Sequence, residues 1–138
     1  MNSLYGVFAV DDDHMIATHL KHQITEYLSH DEIIVETFID PKEAIKGINE
    51  IVEEGVIPLI CFVDFQMPGM RGDQFIRKIK EQFRGLKCIL LTGNSSALIV
   101  ADLAEEGYLE FYLEKPWDVN DLYDVIDKCL PINLKRND

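Results

Sequence analysis

Short apolar runs alternate with helical patterns five times along the chain. The apolar runs, which predict strands, cover residues 4–10, 32–39, 58–63, 87–92 and 109–113. After each run, apolar side chains recur three to four positions apart and predict helices over 14–29, 40–55, 73–83, from Ser95 or Ser96 to about 106, and 118–129. Asp13, Asp40 and Asp118 stand where N-terminal caps of helices are expected. The polar tail 131–138 is predicted to fray.

Strands that are apolar throughout and alternate with helices are typical of a parallel sheet covered by helices on both faces. Five such units fit one domain of 138 residues. We therefore expect a flavodoxin-like α/β fold, with a doubly wound five-stranded parallel sheet in the order 2-1-3-4-5 and five helices. Residues 1–138 are expected to form a single domain with its core over about 4–130.

The amino-acid composition argues against some classes of partner and indicates a cellular compartment. The net charge is −12, which argues against binding to nucleic acid or to anionic membranes, because both need lysine and arginine on the protein. Cys61, Cys88 and Cys129 lie within apolar runs, which indicates buried, reduced thiols. The N-terminal residues have neither the basic stretch nor the long apolar stretch of a signal peptide, and no apolar run has membrane-spanning length. We expect a cytoplasmic location.

Polar residues stand at the ends of four predicted strands. Asp11 and Asp12 follow the first strand, Asp64 the third and Thr92 ends the fourth, and Lys115 lies just beyond the fifth. Ligands of open α/β sheets bind at this edge, and strands 1 and 3 are neighbours in the expected order. Several carboxylates in one place require a counter-ion, and oxygen ligands favour a hard cation such as Mg²⁺.

Taken one at a time, each of these residues also fits a turn, a helix cap or a solvated position. Their coincidence at one edge of the sheet favours a site. A carboxylate nucleophile, a metal, a hydroxyl group and a lysine are together the equipment of phosphoryl transfer.

Four motifs carry a resemblance to a known family. They are "VDD" at 10–12, "VDFQMPGMRG" at 63–72, "LLTGN" at 90–94 and "FYLEKPW" at 111–117. Each motif is weak alone, but their order and spacing together are specific. Over about residues 4–130 the chain resembles the receiver domain of two-component response regulators, of the single-domain chemotaxis type. A departure is Arg71, at a position where an acidic or small polar residue is frequent.

The resemblance implies a role for each matching residue. Asp64 would accept a phosphoryl group from a phospho-histidine of a histidine kinase or phosphotransfer protein. Mg²⁺ or Mn²⁺ would be held by Asp11, Asp12, Asp64 and the backbone carbonyl of Gln66. Lys115 would bind the phosphoryl group, before a cis peptide bond to Pro116. Thr92 and Tyr112 would be the switch residues, and Gln66 and Asn94 occupy positions that tune dephosphorylation.

The implied output is a protein contact rather than catalysis on a substrate. The surface of helix 4, strand 5 and helix 5 would change and control an unidentified protein partner, and the only chemistry would be phosphoryl transfer to the chain itself and autodephosphorylation. Because this surface is acidic, it would repel a second copy of itself, and we expect a monomer.

Three alternatives compete with a stand-alone receiver. The chain could be a receiver module of a hybrid kinase or multidomain regulator. A phosphatase of the haloacid-dehalogenase type also uses a strand-end aspartate, but it needs a second aspartate at the position of Gln66. A flavin-binding module would need a phosphate-binding loop rich in Ser, Thr or Gly where this chain has Asp11, Asp12 and Asp13.

Overall fold

The computed structural model describes residues 3–93 and 97–135. It contains five strands, β1 (Tyr5–Val10), β2 (Ile33–Phe38), β3 (Ile57–Asp64), β4 (Lys87–Thr92) and β5 (Phe111–Glu114). It contains five α-helices, α1 (His14–Leu28), α2 (Pro41–Glu53), α3 (Gly72–Gln82), α4 (Ala97–Glu105) and α5 (Val119–Cys129). All strand pairs are parallel and the sheet order is β2-β1-β3-β4-β5. The predicted fold class and strand order are confirmed.

Alternate side chains of the central strands enter two separate cores. Val7 and Ala9 of β1 pack under α1 and α5, together with side chains such as Leu20 and Ile126. The intervening residues of β1 pack on the opposite face, under α2, α3 and α4. This period of two explains why β1 and β3 are apolar at most positions, since both faces of a parallel sheet are covered by helices.

The three predicted aspartate caps are present. Asp13 Oδ1 accepts hydrogen bonds from the backbone N–H groups of Met15 and Ile16, at 3.0 and 3.3 Å. Asp40 and Asp118 cap α2 and α5 in the same way. These carboxylates satisfy N–H groups that have no partner inside their helices. The expected serine cap of α4 lies outside the described residues.

The prediction that the whole tail frays is wrong for residues 131–135. A short 3-10 helix spans Ile132–Leu134, and Leu134 is only 3% exposed. The tail has only two large apolar residues, Ile132 and Leu134, which are too few to form a periodic pattern, so the sequence did not indicate that Leu134 packs while Ile132 stays exposed. Secondary structure and one buried side chain therefore occur beyond residue 130, and the bounds of the domain stay a prediction.

The three cysteines are buried, as their positions within apolar runs predict. Cys61, Cys88 and Cys129 are buried and free. Burial raises the pKa of Cys88 to about 12 and that of Cys129 to about 11, which keeps both thiols protonated and unreactive. Within residues 3–93 and 97–135, no helix combines the length and apolar character that crossing a bilayer requires.

Candidate functional site

The carboxyl ends of β1, β3 and β4 meet at one edge of the sheet. Asp11 directly follows β1, and its backbone N–H donates to the carbonyl of Phe38 at 3.0 Å. Asp64 is the last residue of β3 and Thr92 is the last residue of β4, and both are buried. The parallel register pairs Asp64 with Leu91, so Thr92 lies one residue further along β4, at the same edge of the sheet as Asp64.

Three carboxylates form an acidic cluster at this edge. Asp11, Asp12 and Asp64 each offer one oxygen atom, and these atoms lie within 4.8 Å of one another. Asp11 and Asp64 are buried, whereas Asp12 is exposed. The backbone N–H of Asp13 donates to Asp11 Oδ1 at 2.9 Å and orients that carboxylate. An all-oxygen cluster that is open on one side fits Mg²⁺, which keeps several waters and binds few protein carboxylates.

Lys115 joins two of these carboxylates. Its Nζ donates to Asp11 Oδ2 at 2.8 Å and to Asp64 Oδ1 at 2.9 Å. Its backbone N–H donates to the carbonyl of Thr92 at 2.7 Å, which fixes the start of the loop after β5. The expected cis peptide bond between Lys115 and Pro116 is present. The lysine therefore supplies a positive charge directly beside the Asp64 carboxylate.

The surroundings raise the pKa of Asp64 to about 6. Burial is the largest cause, hydrogen bonding from Lys115 opposes it, and the negative charge of Asp11 raises the pKa further. Burial alone would lower the pKa of Lys115, but the contacts with Asp11 and Asp64 hold it above the usual value. The lysine thus stays charged. Its single positive charge does not fully stabilise the ionised carboxylate of Asp64, because the pKa of Asp64 is still raised.

The loop after Asp64 closes tightly onto the strand. The backbone N–H of Gly72 donates to the carbonyl of Phe65 at 2.8 Å. A Cβ atom at Gly72 would overlap the carbonyl oxygen of Asp64 and approach the Cα of Phe65 to 2.8 Å. Only glycine fits here, because the start of α3 packs directly on the backbone that carries the Asp64 side chain.

The roles expected for Gln66, Tyr112 and Asn94 stay predictions. Gln66 is exposed in the loop after Asp64, and the role of its carbonyl stays a prediction. Tyr112 lies on β5 and is 50% exposed, so it faces outward in this arrangement, and its inward turn also stays a prediction. Asn94 lies outside the described residues.

A second charged group near the site was missed by the sequence analysis. Asp73, in the first turn of α3, is buried and accepts two hydrogen bonds from Arg71, both at 3.0 Å. Arg77 Nη1 also donates to Asp73, at 3.0 Å, and the other guanidinium nitrogens of Arg77 bind Glu106 at 2.9 and 3.1 Å. The spacing of Asp73 and Arg77 by four residues is a readable helix-pair signal, but nothing local shows that Asp73 is buried.

Comparison with known proteins identifies the family. The family model of the response regulator receiver domain matches residues 7–127. The DNA-binding transcriptional regulator NtrC of Proteus hauseri is 27% identical over 125 residues, which are 91% of this chain and 24% of that protein. Sporulation initiation phosphotransferase F of Bacillus subtilis is 28% identical over 80 residues, covering 58% of this chain and 62% of that protein. The chain thus spans about a quarter of the length of the transcriptional regulators it matches first.

A solved structure supports the same assignment. A response regulator receiver domain protein from Clostridium thermocellum superimposes with a TM-score of 0.76 and is 25% identical, covering 91% of this chain and 94% of that chain. The match to the family model covers all four motifs that carry the resemblance, and it therefore includes Asp11, Asp64 and Lys115. The chain belongs to the response regulator receiver domain family, the signalling modules of two-component systems.

Proposed function

We propose that the protein accepts a phosphoryl group on Asp64 from a phospho-histidine, in a reaction that depends on Mg²⁺. One observation carries the proposal: the Asp64 carboxylate lies at a strand end, hydrogen bonded to Lys115 and adjacent to the carboxylates of Asp11 and Asp12. The donor would be a histidine kinase or a phosphotransfer protein in the cytoplasm. The proposal holds equally for a stand-alone protein and for a module of a hybrid kinase or multidomain regulator.

The metal would be held by Asp11, Asp12, Asp64 and the backbone carbonyl of Gln66. When bound, Mg²⁺ (or Mn²⁺) neutralises negative charge on the phosphoryl oxygens. Asp12 is exposed, so this side of the cluster would be accessible to water and to phosphoryl oxygens. The raised pKa of Asp64 fits this assignment, because an added cation favours the ionised carboxylate that must react.

In the transfer step, an oxygen of the Asp64 carboxylate forms a bond to phosphorus. The bond from phosphorus to the imidazole nitrogen of the donor breaks, and the electron pair remains on that nitrogen. Lys115 Nζ lies 2.9 Å from Asp64 Oδ1 and would move its hydrogen bonds to the arriving phosphoryl oxygens. Catalysis would consist of positioning and charge stabilisation, which dominate phosphoryl transfer.

The new phosphoryl group adds about −1.5 to −2 units of charge and three acceptor oxygens. The buried hydroxyl of Thr92 would be drawn toward one of these oxygens, and Tyr112 would turn into the space that opens. The altered surface would be that of α4, β5 and α5. An open cavity of about 500 Å³ on the β5 and α5 part of this surface is lined by four acidic residues, beside Lys128 and several apolar side chains. The acidic residues are Glu114, Asp118, Asp121 and Asp124. A downstream protein with a basic docking face would suit this cavity.

The decisive experiment uses acetyl phosphate as donor and intact mass as readout. With Mg²⁺ present, the wild-type protein should gain the mass of one phosphoryl group, and Asp64→Asn should gain none, because an amide cannot replace the carboxylate nucleophile. Removing Mg²⁺ with a chelator should abolish labelling of the wild type. Equal labelling of wild type and Asp64→Asn would refute the assignment.

A further inference from the structure

Helix α4 is attached to the body of the protein by few buried side chains. Leu103 is its one buried residue, while Ile99 and Val100 are half-buried against the same core. Leu98 is 82% exposed. An element with so little buried apolar surface belongs to the part of a protein that rearranges at low cost. Any further contact that holds α4 therefore has a disproportionate effect on its position.

The C-terminal end of α4 carries such a contact. Glu106 directly follows the helix, and its backbone N–H donates to the carbonyl of Asp102 at 3.0 Å. Its two carboxylate oxygens accept hydrogen bonds from Nε and Nη2 of Arg77 on α3, at 2.9 and 3.1 Å. This paired geometry matches both oxygens of the carboxylate to the planar guanidinium group, which is the strong and directional form of an ion pair.

Arg77 is held in place from its other side. Its Nη1 donates at 3.0 Å to Asp73, whose side chain is only 2% exposed. Isolated surface ion pairs contribute little, because two long side chains must be ordered to form them. Here the buried carboxylate already orders the arginine, and Arg71 fixes that carboxylate with two further hydrogen bonds. The pair with Glu106 therefore costs less side-chain entropy than an ordinary surface pair.

Both helices joined by the ion pair, α3 and α4, follow closely on residues of the Asp64 site. Asp73 follows Gly72, which packs directly on the backbone of Asp64. The first residue of α4 lies five positions after Thr92, the hydroxyl-bearing residue at the end of β4. The ion pair thus joins the helix that starts against the phosphoryl acceptor to the helix that follows the proposed switch residue.

We propose that Arg77, positioned by Asp73, latches the end of α4 to α3 and so restrains phosphorylation of Asp64. The inference rests on the proposed function, in which phosphorylation changes the α4 surface. The ion pair between Arg77 and Glu106 and the contact between Lys115 and the Asp64 carboxylate are formed in the same structure, so the latch would stabilise this unphosphorylated arrangement. If the ion pair stabilises one arrangement of α4 and phosphorylation stabilises another, each lowers the population that the other favours. Loss of the latch should therefore loosen α4 and favour the phosphorylated protein.

The test compares Glu106→Gln with Glu105→Gln in the full chain. Both variants remove one negative charge at the end of α4, but Glu105 makes no ion pair within residues 3–93 and 97–135. Glu106→Gln should speed amide hydrogen exchange over residues 97–105 by about two- to fivefold, the range expected for losing a surface ion pair. With acetyl phosphate and Mg²⁺, it should raise the ratio of phosphorylated to unphosphorylated protein by a similar factor. Glu105→Gln should match wild type in both measurements.

The two measurements separate the latch from the proposed function. If the wild type is labelled normally and Glu106→Gln is labelled no more than Glu105→Gln, the latch is refuted. The proposed function is unaffected by that outcome. Unchanged exchange over 97–105 in Glu106→Gln would also overturn it. Absence of label on the wild type would instead refute the proposed function, and with it the restraint on phosphorylation.

Discussion

Asp64 and Asp73 are both buried aspartates, yet their surroundings move their pKa values in opposite directions. For Asp64, burial and the charge of Asp11 outweigh the single lysine and raise the pKa to about 6. For Asp73, burial also raises the pKa, but hydrogen bonds from Arg71 and Arg77 outweigh it and the pKa falls below its usual value. Asp64 therefore calls for an additional cation, whereas Asp73 is a stably ionised structural group.

Replacing Asp73 by Asn should lower the free energy of unfolding by about 1–3 kcal/mol at pH 7, because a buried carboxylate loses charge-assisted hydrogen bonds. A depressed folded-state pKa contributes stability that is present above the unfolded pKa and is lost as pH falls through the folded value. The ordinary value for this group is 3.8, so the difference between wild type and variant should shrink as pH falls below about 4.

Urea unfolding at several pH values measures this difference. Asp31→Asn, at an exposed aspartate, is the matched control and should behave like wild type throughout. A loss of stability in Asp73→Asn that stays constant down to pH 3 would contradict the proposed charge on Asp73.

At the scale of elements, the start of α3 connects helix packing to the chemistry. The sequence predicts this helix from residue 73, and the structure begins it at Gly72. The small difference is physically important, because Gly72 is the residue that packs against the carbonyl of Asp64. Helix periodicity shows roughly where an element starts, but close approach of two backbones is visible only when both elements are in place.

Gly72→Ala should force the start of α3 away from β3 and destabilise the fold by about 1–3 kcal/mol, the usual cost of overpacking. It should also lower the rate of labelling by acetyl phosphate, because the backbone of Asp64 must shift. Gly85→Ala is the control, since a Cβ there meets nothing within 4 Å. Thermal unfolding and intact mass give both results, and equal behaviour of the two alanine variants would disprove the steric argument.

At the scale of the whole molecule, the site is assembled from distant parts of the chain. Lys115 binds Asp64 and Asp11 from 51 and 104 residues further along the sequence. Parallel strands with helical crossovers make this possible, because every strand ends at the same edge of the sheet. The two hydrophobic cores pack against the two faces of the sheet that ends at this edge.

The charge of the molecule bears on its assembly. The net charge is −12, and the surface of α4, β5 and α5 carries acidic residues that would face the same sign in a symmetric dimer. We expect analytical ultracentrifugation to show a monomer at pH 7 and 0.1 M salt, with and without acetyl phosphate and Mg²⁺. A dimer that forms only on phosphorylation and is broken by charge changes in this surface would contradict the expectation.

The sequence by itself determined the element order, the aspartate caps of α1, α2 and α5, the fold class and the residues proposed for the Asp64 site. These features depend on periodicity along a few neighbouring residues and on which polar residue follows each apolar run. Only the tertiary structure decided that Asp73 is buried and hydrogen bonded to both Arg71 and Arg77. It also decided that Glu106 pairs with Arg77 of α3 and that the side chain of Leu134 is buried. Each of these depends on distances between elements far apart in the chain, and no local pattern records such distances.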